Sequence, residues 1–200
     1  MTKNIDFYFD LSSPYGYLAC SRGDEIEQQT GYQLDWKPYL MGAVFKETGR
    51  QPQVNYPLIS NYAYNDIQRS ARKYGVEFNL PDPFPVITAA ACRACHWAES
   101  LGTEPARRLV MALYKAYMID NINISKPEGV LTAVENCGLD RAEAQAATSS
   151  PEMKELARQR VNHAIENGIF GSPFFVVDGE AFWGNDRVDD LILWCQKGGW

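Results

Sequence analysis

This sequence is short of most features that settle a protein's class at a glance. No apolar run reaches the roughly 18 residues that suggest a membrane-crossing helix, so no span is expected. The opening Met1-Thr2-Lys3-Asn4 leads straight into a strand pattern, without the apolar region and small-residue cleavage site of a secretory signal. A cytoplasmic protein is therefore expected. Basic residues number 19 against 25 acidic ones, with no basic run interleaved with aromatics, which argues against a nucleic-acid partner. Histidine is scarce, at two in 200 residues, and no Cys/His set has the spacing of a metal site, so no metal is expected. The five cysteines are scattered and odd in number, which reads as reduced thiols rather than a disulfide framework. Internal repeats and low-complexity tracts are also missing.

What is present is a chain with 46% hydrophobic residues, enough for a substantial core in one domain, or one domain with a large insertion. Residues 4–10 alternate, with Ile5, Phe7 and Phe9 on one face and Asp6, Tyr8 and Asp10 on the other, as in a strand. Ser12 or Ser13 can cap a helix over 13–30, with Pro14 in its first turn and Gly31 as its stop. Residues 34–38 read as a second strand, parallel to the first by the right-handed crossover rule. From Gly42 to Gly168 the pattern turns helical, over 62–74, 86–100, 104–118, 128–137, 140–148 and 151–167. The stretch 49–57 is too rich in proline for a helix. Strands return at 174–177 and 180–183 around an Asp178-Gly179 turn, and Asn185 or Asp186 can cap a last helix to Gln196. The order β-α-β, helices, β-β-α predicts an α/β sheet interrupted by a helical insertion.

Two segments carry the chemistry. Phe9-Asp10-Leu11-Ser12-Ser13-Pro14-Tyr15-Gly16 puts a hydroxyl at a helix start, where unpaired N–H groups and partial positive charge favour an anion or a thiolate. Near the other end stand Gly171-Ser172-Pro173-Phe174 and Phe182-Trp183-Gly184-Asn185-Asp186-Arg187. With these motifs, nearly the whole chain resembles the 2-hydroxychromene-2-carboxylate isomerase and kappa-class glutathione transferase family. That resemblance implies a thioredoxin-like fold with an all-helical insertion, as in DsbA. The thioredoxin-like domain would comprise residues 1–41 and 169–200, and the insertion residues 42–168.

Ser13-Pro14-Tyr15-Gly16 stands where a redox relative has Cys-Pro-X-Cys, so dithiol exchange is impossible there. The resemblance implies instead that Ser13 is catalytic, hydrogen-bonding the sulfur of bound glutathione and favouring its thiolate. It implies that Ser172, ahead of a cis Pro173, offers its main chain to the glutathione cysteine. Trp183, Gly184, Asn185 and Asp186 would hold the γ-glutamyl end. Asn55 would meet substrate, as would Phe45 and Phe84, which stand where naphthalene-pathway isomerases carry a lysine and a tyrosine, although Lys46 adjoins the first. Tyr56 and Tyr64 are further candidates to line a pocket between the two domains.

The implied activity is a glutathione-dependent isomerisation of an aromatic-degradation intermediate, a small aromatic carboxylate. It proceeds by reversible thiolate addition, ring opening and elimination, in a cytoplasmic homodimer. The alternatives are a kappa-like transferase or peroxidase that consumes glutathione, and a DsbA-like binding protein without chemistry. Cys92-Arg93-Ala94-Cys95-His96 lies on a helix of the insertion, the wrong place for the fold's redox pair, and reads as a packed helix face. Cys20 is expected against the sheet, and Cys137 and Cys195 as buried small apolar residues. Arg187 is expected to pair with an acid of the protein, and neither histidine is assigned as a general base.

Overall fold

The computed structural model describes residues 3–200; Met1 and Thr2 lie outside the described residues. Four strands form one mixed sheet. β1 (Asn4–Phe9) pairs in parallel with β2 (Gln33–Pro38), Phe7 opposite Trp36. Its other edge pairs antiparallel with β3 (Phe174–Val177), Phe7 opposite Phe175, and β3 pairs antiparallel with β4 (Glu180–Trp183), giving the order β2-β1-β3-β4. The β3–β4 hairpin turns through Asp178 (φ 51°) and Gly179 (φ 85°), both left-handed, the conformation for which Asp-Gly is suited.

The period-2 alternation of β1 splits the interior in two. Ile5, Phe7 and Phe9 are fully buried in the larger core, where Phe7 stacks on Phe175 at 4.6 Å between centroids. On the opposite face Tyr8 packs in a smaller core with Tyr39, Val161 and Phe174.

The crossover from β1 to β2 is two helices, α1 (Pro14–Ser21) and α2 (Gly23–Thr30), where the sequence predicts one over 13–30. At the break, the Cα of Gly23 lies against the Trp36 ring, so that a Cβ there would sit 2.8 Å from the indole. Arg22 leaves helical geometry (φ −99°, ψ 6°) and bonds Glu25 and Asp189. α3 (Met41–Thr48), not foreseen as a separate helix, follows β2, and a single 3-10 turn (Gln53–Asn55) occupies the proline-rich stretch.

The helical block continues as α4 (Ser60–Tyr74), α5 (Ala89–Glu99), α6 (Thr103–Met118), α7 (Pro127–Asn136), α8 (Arg141–Ser149) and α9 (Pro151–Glu166). α5 starts three residues later than predicted. The Val86 N–H donates to Ser12 Oγ at 2.9 Å and so is committed to the β1–α1 turn rather than to a helix. The last helix, α10 (Val188–Lys197), is entered through a 3-10 turn (Asn185–Arg187), and neither Asn185 nor Asp186 makes the predicted side-chain cap.

Cys20 packs in the larger core, as do Cys95 and the alanines around it. Cys137 and Cys195 are only half-buried, contrary to expectation, because each lies at or near the C-terminal end of a helix (α7 and α10) rather than in its packed middle. Arg187 pairs with Asp190 at 3.0 Å on the surface. Among the described residues no helix is long and apolar enough to cross a membrane, and no group of three or more His, Cys, Asp or Glu is placed to hold a metal.

Candidate functional site

Ser13 is the N-cap of α1. Its backbone is extended (φ −87°, ψ 115°), and its Oγ accepts the Gly16 N–H at 3.1 Å. The same oxygen donates to the carbonyl oxygen of Ser172 at 3.0 Å. Pro14 has no N–H, and the Tyr17 N–H goes to the Ser13 carbonyl. This leaves the Tyr15 N–H as the first-turn donor with no partner among the described residues. Ser12, the other predicted cap, is turned away to accept from Val86.

Ser172 and Ser13 therefore meet across the fold, and the Ser172–Pro173 peptide is cis. The Ser172 side chain accepts the Asp10 N–H at 2.9 Å. Gly184 donates its N–H to the Pro173 carbonyl at 3.1 Å, which brings the Trp183–Asp186 segment to the same loop. The Trp183 indole lies over Gly171, so closely that a Cβ there would run into Nε1, and packs edge-on to Phe170. Asn185 is buried, and its Oδ1 has no hydrogen-bond partner among the described residues. The Asp186 carboxylate is exposed.

Asp10 is the residue that sequence reasoning missed. It ends the polar face of β1, which suggests solvent, yet it is buried. Its carboxylate accepts from the Ser12 N–H (2.7 Å), the Met41 N–H at the start of α3 (2.8 Å) and Thr88 ahead of α5 (3.3 Å). Its carbonyl accepts from the Ser13 N–H and from Tyr114, both at 2.9 Å. Four chain segments are thus tied to one residue directly before the turn. Burial pushes its carboxyl above the usual range, and the bonds from Ser12, Met41 and Thr88 offset part of that rise.

Position 16 shows why a second side chain is missing. A Cβ on Gly16 would sit 2.7 Å from Tyr114 Oη and 2.8 Å from Ser172 Oγ. Tyr15 leaves the turn to bond Asp66 of α4 at 2.6 Å. Burial first and Asp66 second push its hydroxyl well up. Burial would also raise Asp66, but the bonds from Tyr15 and Arg69 outweigh it and hold that carboxyl below its ordinary value.

The model of the DSBA-like thioredoxin domain matches residues 4–192 of this chain. A 2-hydroxychromene-2-carboxylate isomerase from Sphingobium xenophagum is 30% identical over 193 residues, 96% of this chain and 97% of that protein. This chain belongs to the 2-hydroxychromene-2-carboxylate isomerase and kappa-class glutathione transferase family. Human glutathione S-transferase kappa 1 is 23% identical over 96% of this chain and 90% of its own length. A solved 2-hydroxychromene-2-carboxylate isomerase superposes with a TM-score of 0.86 at 25% identity, covering 97% of this chain and 95% of that one. The fold is therefore the DsbA-like thioredoxin fold.

Within this family member, the structure brings Ser13, Ser172, Pro173 and Gly184 together by hydrogen bonds. The expected substrate residues are placed more loosely. Asn55 is exposed in the 3-10 turn and makes no side-chain hydrogen bond among the described residues. Phe84 is half-buried against the larger core and Phe45 half-buried on α3. A cavity of about 480 Å3 runs along α6 and α7, lined by Tyr17, Arg108, Met111 and Cys137 among others, and Ser13, Phe45 and Phe84 are not part of its wall.

Proposed function

We propose that this protein is a glutathione-dependent isomerase of the 2-hydroxychromene-2-carboxylate type, cytoplasmic and homodimeric. Its substrate is a small aromatic carboxylate from aromatic-compound degradation, and residues 42–168 form the insertion that shapes its pocket. The observation that carries this reading is a Ser13 hydroxyl at the start of α1, 3.0 Å from the Ser172 carbonyl, in a turn with no sulfur at position 13 or 16.

The residues present suit glutathione. The buried Asn185 Oδ1 lacks a donor among the described residues, and an ammonium group brings one. The exposed Asp186 carboxylate, one residue on, adds the charge that such a group pairs with. When bound, glutathione supplies a thiolate that adds to an unsaturated carbon of the substrate and later leaves it, so the thiol is regenerated.

The protein's own part is positioning and electrostatics. Ser13 would hold the glutathione sulfur by donating its hydroxyl proton to it in place of the Ser172 carbonyl, and the Tyr15 N–H and the α1 dipole would add to that stabilisation. The Ser172 carbonyl, no longer bonded to Ser13, would accept the N–H of the glutathione cysteine. Asn55, Phe45 and Phe84 border the substrate and exclude water from it.

Thiol accounting tests the reading. Incubation with glutathione and 2-hydroxychromene-2-carboxylate should change the substrate's ultraviolet spectrum while free thiol stays constant. Thiol loss matched to substrate loss would identify the kappa-like transferase instead. Absence of glutathione binding at about millimolar concentration, where a ligand gains about 4 kcal/mol, would leave a binding protein without this chemistry.

A further inference from the structure

A second cavity, of about 250 Å3, opens on the smaller-core side of the sheet, walled by β1, β2, α5 and α9. That is below the roughly 300–1,000 Å3 of sites for drug-sized ligands, which limits any occupant to a small molecule. Lys37, His96, Arg160 and His163 line it, so both histidines of the chain converge there from different helices. No acid among the described residues is part of the wall. Acids pair with Lys37, His96 and Arg160. Glu99 holds Arg160 at 3.2 Å and the His96 ring at 3.1 Å, while Asp35 and Asp6 flank Lys37. These carboxylates fix the basic groups in position and offset their charge, so what the wall offers an anion is a set of placed N–H and O–H donors.

Tyr8 supplies the second observation. It also lines this cavity and is 4% exposed, yet its hydroxyl makes no hydrogen bond among the described residues. The residue is buried, but its hydroxyl oxygen opens into the cavity and is free to donate to an occupant. Burial pushes its pKa up, so it stays a proton donor. Donors from Tyr8, Lys37 and Arg160 facing one small space match an oxyanion, and Arg160 offers the fork that phosphate oxygens accept. Tyr39 closes the cavity toward the Ser172 loop, its hydroxyl donating to the Gly171 carbonyl at 2.6 Å.

We propose that this cavity binds a small oxyanion, inorganic phosphate or the phosphate of a phosphomonoester, through Tyr8, Lys37, Arg160 and His163. This site stands apart from Ser13 and does not rest on the glutathione reading.

Titration of the full chain with inorganic phosphate, followed by calorimetry and phosphorus NMR line broadening, tests it. Saturable binding is expected, weakened about tenfold or more by Arg160→Gln and several-fold by Tyr8→Phe. Tyr8→Phe should keep the parent melting temperature, since the lost hydroxyl bonds nothing in the protein. Saturating glutathione should leave phosphate affinity unchanged. Lack of saturable binding up to about 10 mM phosphate, or equal affinity in parent and both variants, would overturn the site. So would displacement of phosphate by glutathione, which would put the anion at Ser13. A phosphomonoester binding more tightly than phosphate in the parent, with the gain lost in Arg160→Gln, would identify the esterified form as the ligand.

Discussion

The Ser13 hydroxyl donates to the Ser172 carbonyl at 3.0 Å across 159 residues of chain, while accepting the Gly16 N–H at 3.1 Å. One oxygen therefore caps α1 and clasps the loop before Pro173. Ser13→Ala loses both roles. We expect a stability loss of about 1–2 kcal/mol by urea denaturation. Turnover should fall roughly 10- to 1000-fold, and the pKa of bound glutathione, read by thiolate absorbance, should rise. Near-parental turnover would remove Ser13 from the chemistry.

Gly16 and Tyr114 should be energetically coupled. Gly16→Ala forces a methyl against Tyr114 Oη and Ser172 Oγ and should cost about 1–3 kcal/mol. Tyr114→Phe removes a donor to the Asp10 carbonyl, which keeps the Ser13 N–H, and should cost about 1 kcal/mol. Because the second change deletes one of the atoms the first collides with, the double variant should be more stable than the sum predicts, by about 0.5 kcal/mol or more. Strict additivity in a denaturation cycle would refute the packing account.

Two carboxyls should tilt the pH–stability curve in opposite senses. Asp10 has its folded pKa raised by burial, so above the unfolded value of about 4 the native state binds the extra proton. Stability then falls as pH rises through the folded value. The lead of the parent over Asp10→Asn should be greatest near the unfolded pKa and shrink toward neutrality.

Glu27 has its pKa lowered, chiefly by the two-pronged bond from Arg107. Its contribution is present above the unfolded value and is lost as pH falls through the folded one. Glu27→Gln should cost about 1–2 kcal/mol at neutral pH and almost nothing in acid. Thermal melts across the acid range separate the two cases, and parallel curves would contradict both.

Gly171→Ala should push the Trp183 indole off the loop before Pro173. Trp183 is 46% exposed, so the ring can swing into solvent. The emission spectrum should shift to the red and glutathione affinity should fall about tenfold, with the melting temperature little changed. An unchanged spectrum would show that the loop moves instead.

What the sequence made legible was local. Alternation in β1, the Ser13 cap with Pro14 behind it, and the Asp178-Gly179 hairpin are each written within a few residues. What it hid depends on partners far along the chain. The break between α1 and α2 is set by Trp36 over Gly23 and by Asp189, 167 residues from Arg22. The late start of α5 is set by a bond between Val86 and Ser12, 74 residues apart. Asp10 looks like a solvent-facing acid until Met41 and Thr88 close over it. The site is half of each kind: the Ser13 turn is visible in its motif, whereas its clasp to Ser172 exists only once the sheet has formed.

Placing a sulfur at position 13 concerns one side chain. At position 16 it concerns three, because a tyrosine hydroxyl and a serine hydroxyl already fill the seat. Dithiol exchange at this turn is thus closed off by volume as well as by composition. The turn therefore has no electrons of its own to exchange, and refitting it for that chemistry would mean repacking Tyr114 and Ser172 as well as changing residue 16.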